Sequence, residues 1–367
     1  MYDPRLDRLA DLLVRYSLHL RPGEGVVQVG TPLAEPLFVA FHRAALQAGA
    51  HVDTVLTLPS LVENFYRFAS EEQLRFVRPL EDLIVERYDA RLAVHSDPNT
   101  RALSDVEPQR QRVASAARRG LLQRVFERTA AGDLRWCVTL FPTHAYAQEA
   151  DMSLASFTEF LFDACFLNDP DPIARWQALG REQERLIAWL QGKREIRILA
   201  QDTDLTLSVE GRRWINACGH FNMPDGEFFT GPVEEATNGF IRFTYPAVRD
   251  GRLVEDVWLR FENGRVVEAR ADRNEAYLHQ MLDLDDGARR LGEFAFGNNA
   301  NITRFTHDVL FDEKIAGTVH MALGASYPET GGKNQSALHW DMICDLRRGG
   351  EVYVDGQLFM KDGRFVV

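Results

Sequence analysis

Gly25-Val26-Val27-Gln28-Val29 is a short apolar run; a helical stretch over about Glu35 to Gln47 follows it, and then Val52-Asp53-Thr54-Val55-Leu56-Thr57-Leu58, apolar at alternate positions for most of its length. Strand, helix and strand in that order form one unit of a parallel sheet. Upstream, Leu6, Leu9, Leu12, Leu13 and Tyr16 recur at helical spacing and end at a Pro22-Gly23 turn. Downstream, Ala90 to Val94 and Leu134 to Phe141 are two further strand-like runs with helical sequence between them. The pattern predicts an α/β N-terminal domain with an open, mostly parallel sheet covered on both faces. Gly25 to Thr31 lacks the G-x-G-x-x-G spacing and the acidic residue that a dinucleotide needs, so it reads as an ordinary βα turn.

A long helix from Pro172 to about Gly192 closes this half, and the sequence then changes character. Glu195-Ile196-Arg197-Ile198-Leu199 and Leu205-Thr206-Leu207-Ser208-Val209 are strand-like. Asn263-Gly264, Asp355-Gly356 and Asp362-Gly363 each sit between alternating apolar segments, the pattern of two-residue hairpins. Helices are expected near Glu275–Leu282 and Glu313–Leu323. The reading is two domains, residues 1–192 and a smaller, antiparallel-rich α+β domain over 193–367.

Charge and cysteine usage exclude several function classes. Lys and Arg total 42 against 54 Asp and Glu, a formal net charge of -12, which repels a phosphate backbone and argues against nucleic acid as a partner. Cys137, Cys165, Cys218 and Cys344 form no CxxC pair, so neither a zinc knuckle nor a disulfide framework is expected. The first residues, MYDPRLDRLADLLVRYSL, are amphipathic and charged throughout, unlike a signal peptide. No apolar run approaches the ~18 residues of a membrane span. The expectation is a soluble, cytoplasmic protein.

The chemistry-bearing residues lie in the second half. In Ala337-Leu338-His339-Trp340-Asp341-Met342-Ile343, a strand puts His339 and Asp341 on one face and Leu338, Trp340 and Met342 on the other. An imidazole beside a carboxylate suits a borderline metal, and equally a mutually satisfied polar pair. Phe311 to Gly324 reads as a helix ending at glycine, with Glu313 and His320 seven residues apart on one face; His320 there is a ligand or a hydrogen-bonded core histidine. Tyr327 lies seven residues further on, beyond Gly324 and before Pro328. Glu227 and Glu293 stand in glycine-rich loop-to-strand contexts, and Phe294 and Phe296 would face the core and leave Glu293 on the opposite side. Burying such a carboxylate without a partner costs several kcal/mol.

The segments NMPDGEFFTGP, LGEFAFGNN, FDEKIAGTVHMALGASYPETGGKN and SALHWDM resemble, in order and spacing, those of the aminopeptidase T family of metallopeptidases (family M29, the thermophilic aminopeptidases). The resemblance implies metal ligands at Glu227, Glu293, His320, His339 and Asp341, an active-site tyrosine at Tyr327, and a two-domain homodimer that removes N-terminal residues from peptides with a free N-terminus. The stretch between His320 and His339 is shorter than in the founding members of that family, so the rim of the site departs from theirs. Two divalent ions roughly 3.5–4 Å apart can activate a water and polarise the scissile carbonyl. One ion is expected on Glu227 and His320, the other on His339 and Asp341, with Glu293 shared; zinc, cobalt and manganese all tolerate such donors. Glu313 is the candidate general base, its rival role being a salt bridge, and Tyr327 a ligand or an oxyanion donor. The alternative is a mononuclear non-haem Fe(II) ring-cleaving dioxygenase of the same fold using His320, His339 and Asp341, and Glu227 and Glu293 weigh against it.

Overall fold

Val26 and Val27 are fully buried because their strand, β1 (Gly25–Gly30), lies inside a sheet. In the computed structural model, which describes residues 3–249 and 251–367, β1 pairs in parallel with β2 (His51–Leu56) on one side and β3 (Ala90–His95) on the other. β4 (Arg135–Leu140) pairs in parallel with β3, and the short Asn222–Met223 segment follows in parallel on β4. The chain beyond β1 turns through Thr31, whose hydroxyl donates to Ser96 O (2.7 Å) and accepts from Leu33 N (3.3 Å). The turn's polar groups are thus spent on the fold, as an ordinary βα connection requires.

The chain divides into two compact units, one of residues up to Ala174 with Gly219–Pro224, the other of Arg175–Cys218 with Asp225–Val367. The long helix Pro172–Leu190 groups with the second because Leu186 and Leu190 join its core, beside Ile196, Ile198, Leu205 and Leu207. The second unit holds an eight-stranded antiparallel sheet whose hairpins turn at Asn263-Gly264, Asp355-Gly356 and Asp362-Gly363, every one of these six residues at positive φ. That is the backbone two-residue hairpins demand.

Its other large sheet has five antiparallel strands: β5 (Ile215–Ala217), β6 (Glu227–Thr230), β7 (Leu291–Gly297), β8 (Thr318–Gly324) and β9 (His339–Asp345), in the order β9-β8-β7-β6-β5. The two sheets share one apolar core. Phe228, Phe294, Phe296, Met321, Trp340 and Met342 of the five-stranded sheet, with Leu338 just before its last strand, pack with Ile241, Leu259, Phe261 and Phe359 of the eight-stranded one. Truncating a buried aromatic of this kind costs about 3–5 kcal/mol. Among the described residues no helix is long and apolar enough to cross a membrane, and all four cysteines are buried.

The helix expected over Glu313–Leu323 is absent, and this corrects the sequence reading. Helix is confined to Val309–Asp312; the chain turns through Gly317 and enters β8 at Thr318. Every β8 residue is buried, so both faces favour small or apolar side chains and the two-residue alternation that marks a half-exposed strand disappears. Gly297, the last residue of β7, pairs with Glu227, and a Cβ there would lie 2.2 Å from Ile315 O in that same turn. Gly297→Ala is expected to lose about 1–3 kcal/mol by forcing the turn away. Gly120→Ala, on an exposed helix position with no atom within 4 Å of the added methyl, should lose nothing. Urea unfolding of the two variants checks the contrast.

Candidate metal centre

The antiparallel register gathers the site on one face of the five-stranded sheet. Glu227 pairs with Gly297 and Phe229 with Ala295; Ala295 in turn pairs with His320, Glu293 with Ala322, Ala322 with Asp341, and Gly324 with His339. Directly paired residues share a face, so glycine and alanine occupy the middle of this surface while the long polar side chains rise around them. Leu338, Trp340 and Met342 point the other way into the core, as period two dictates. Glu293 shares the site face with Ala295 by plain alternation, and a bulge just before it shifts the register between Leu291 and Glu293, so Leu291 lies in the core although it stands only two residues away. Gly292 carries the bulge, and a Cβ on it would sit 2.2 Å from Ala325 O.

Both imidazoles are preset as donors. His320 Nδ1 is 2.9 Å from Glu313 O, and His339 Nδ1 is 2.9 Å from Ala325 O. A carbonyl only accepts, so each Nδ1 carries a proton and each Nε2 faces the carboxylates, the arrangement that second-shell carbonyls impose on metal-binding histidines. His320 Nε2 lies 3.4 Å from Glu227 Oε2 and 3.7 Å from Glu293 Oε1. His339 Nε2 lies 3.3 Å from Glu293 Oε2 and 3.7 Å from Asp341 Oδ1. Two donors bound at about 2.0–2.2 Å to one tetrahedral ion stand about 3.4 Å apart, so these gaps match a shared cation. Glu227 Oε2 and Asp341 Oδ1 are buried with no hydrogen-bond partner, the condition of a ligand atom waiting for an ion. The donors form two groups, Glu227 with Glu313 and His320, and Glu293 with His339 and Asp341, the atoms of each within 4.8 Å of one another.

The electrostatics of the face follow from burial. Burial alone would hold both histidines down, but the hydrogen bond and charge of Glu293, with the charge of Glu227 at His320 and of Asp341 at His339, carry each up to about 10. Glu293 feels burial pushing it up and the two imidazoles overriding it, and is held at about 2. Asp341 is raised by burial to about 6. Glu227 is pushed well above the carboxylate range by burial, with Lys314 and His320 answering part of its charge. Without an ion, protons on the two imidazoles hold the place of the cations, and a metal must displace them.

Tyr327 packs its ring against Phe229 (centroids 5.3 Å apart) and edge-on against His339 (5.1 Å), and so walls the face. Burial and the surrounding carboxylates push its hydroxyl above its usual range, which keeps it a hydrogen-bond donor. Glu313 comes to His320 through the turn at Gly317, not along a helix, and its carboxylate bonds Lys314 Nζ. Lys314 itself carried no expected role. It is 0% exposed, with Nζ 3.7 Å from Glu227 Oε1. Its only signal in the sequence is a lysine set between Phe311 and Ile315, both apolar.

Three carboxylates and two preset imidazoles on the open face of a packed sheet define a metal-dependent hydrolytic centre. The comparisons with known proteins agree. The family model of the thermophilic metalloproteases (M29) matches residues 2–365. Aminopeptidase T of Thermus aquaticus is 30% identical over 416 residues, covering 100% of this chain and 99% of that protein. Aminopeptidase 2 of Geobacillus stearothermophilus is 29% identical over 405 residues, covering 99% and 96%. The structure of wild-type AmpT from Thermus thermophilus superposes with a TM-score of 0.88 at 28% identity, covering 100% of both chains. The chain belongs to the M29 metallopeptidase family and is a metal-dependent aminopeptidase, a hydrolase of peptides; the ring-cleaving oxygenase alternative falls with this.

The raised histidines set a pH dependence of the metal-free protein. Their folded values near 10 exceed the ordinary imidazole value of about 6.5, so the stability they add is complete below about pH 6.5 and is lost as pH rises through 10. The melting temperature of chelator-treated protein should therefore fall between pH 7 and 10, with metal affinity rising over the same window. Calorimetry in buffers of different ionisation enthalpy should record proton release on binding. A melting profile as flat without metal as with it would contradict the assignment.

Proposed function

We propose that the centre is dinuclear, with Glu227 and His320 holding one divalent ion, His339 and Asp341 the other, and Glu293 bridging them. The observation that carries this reading is the carboxylate of Glu293, whose two oxygens face different imidazoles, Oε1 toward His320 (3.7 Å) and Oε2 toward His339 (3.3 Å). Bound there, two ions would acidify a water and polarise the scissile carbonyl. The mixed oxygen and nitrogen donors suit zinc, cobalt or manganese.

The chain's own residues supply the rest. Glu313, within 4.8 Å of the donors of Glu227 and His320, accepts the proton of the attacking water and returns it to the leaving amine. Tyr327, kept protonated beside His339, donates a hydrogen bond to the oxygen on which negative charge develops. An exopeptidase must also recognise the free α-amine of its substrate, for which a metal ion or a carboxylate of the site is the natural partner. The family resemblance further supports a homodimer.

Metal analysis of reconstituted protein should give two equivalents per chain, and hydrolysis of an aminoacyl p-nitroanilide should vanish on chelation and return with metal. His339→Ala should lower kcat/KM by at least about 100-fold with the fold intact, since loss of even an outer-shell partner costs 10–100-fold. A single iron with no aminoacyl hydrolysis, or near-normal turnover in that variant, would falsify the proposal.

A further inference from the structure

Glu313 is a donor too many. With Glu227, His320 and a shared Glu293, its carboxylate would make four protein donors at the inner position, whereas the outer position has three, Glu293, His339 and Asp341. Four donors close a metal site, and a catalytic site keeps a position open for water or substrate. Something must hold Glu313 off.

Lys314 is placed to do so. Its ammonium is fully buried, bonds Glu313 Oε1, and lies 3.7 Å from Glu227 Oε1. It thus engages one oxygen of each carboxylate and leaves Glu227 Oε2, the orphaned atom, turned toward His320 Nε2 at 3.4 Å. Nothing comparable stands at the outer group: among the described residues, Glu293 and Asp341 have only imidazoles as ion-pair partners. We propose that Lys314 is a positioning residue that keeps the Glu313 carboxylate out of the ligand set of the inner metal position. The lysine makes Glu227 a one-oxygen ligand and reserves Glu313 for proton transfer. The inference rests on the dinuclear reading above.

Cobalt(II) titration followed by calorimetry and visible absorption tests it on the full-length protein. Wild type reports how many ions bind, and so tests the dinuclear reading separately. In Glu313→Gln both ions should still bind and the cobalt spectrum should match wild type, because Glu313 is not a ligand, while kcat falls at least about 100-fold. In Lys314→Met the freed Glu313 should join the inner ion: affinity there rises about tenfold, absorption weakens as a donor is added, and kcat drops with little change in KM. Loss of one bound ion in Glu313→Gln overturns the proposal, and where Lys314→Met fails to fold, Lys314→Gln is read in its place by the same affinity, spectrum and kcat. A folded Lys314→Met with wild-type affinity, spectrum and kcat overturns it as well.

Discussion

Burying carboxylates on a sheet face costs several kcal/mol for each one left unanswered, and this protein buries Glu227 and Glu293 almost completely with Asp341 beside them. Positive charge must meet them. In the absence of an ion it comes from two imidazoles and the fully buried ammonium of Lys314. The compensation is uneven, because protons can leave an imidazole far more readily than they can leave this lysine. Lys314 is therefore a permanent part of the frame, whereas the imidazole protons are exchangeable for metal.

The frame is rigid because the opposite face of the same sheet is core. Trp214, Phe228, Phe294 and Phe296 form an aromatic cluster beneath the site, with ring centroids 5.0–6.2 Å apart. Each strand that presents a donor also anchors an aromatic or aliphatic residue one position away, so a donor cannot move without disturbing close-packed rings. The small residues Ala295, Ala322 and Gly297 then leave the room in which the donors converge. The histidine rings are fixed a second time, by the carbonyls of Glu313 and Ala325. Such double restraint is what holds ligands near productive geometry before any ion arrives.

The half-exposed elements were the legible ones. The face shared by His339 and Asp341 follows from period two because Trp340 has a core to enter and His339 has a site to face. The hairpins follow from Asn-Gly and Asp-Gly pairs that only positive φ can accommodate. β8 looks helical in the sequence because burial on both sides erases its alternation, and the seven-residue step from Glu313 to His320 imitates two helical turns. The face of Glu293 follows from the alternation with Phe294 and Phe296, whereas the bulge that turns Leu291 into the core has no sequence mark beyond Gly292. Lys314 has no mark in the sequence beyond its apolar neighbours, since lysine is almost never fully buried unless paired, and its partners Glu227 and Glu313 meet it only in the folded sheet. The ligand set itself was legible through family resemblance more than through spacing, because its members are spread over more than a hundred residues of chain.

The two donor groups also differ in depth. The His320 side chain is 1% exposed and that of His339 29%. Tyr327 stands with His339, and the outer group is the side nearer solvent. Within the inner group Glu227 and Lys314 are screened from solvent, Glu313 less so at 15% exposed, and charge–charge interactions are strongest where water is excluded. A fixed ammonium has most authority over a neighbouring carboxylate in that deeper place. The same lysine at the rim would be screened and would compete poorly for Glu313. The depth of Lys314 and the accessibility of His339 are thus two sides of one arrangement, in which the closed end of the site sets the geometry and the open end admits the substrate.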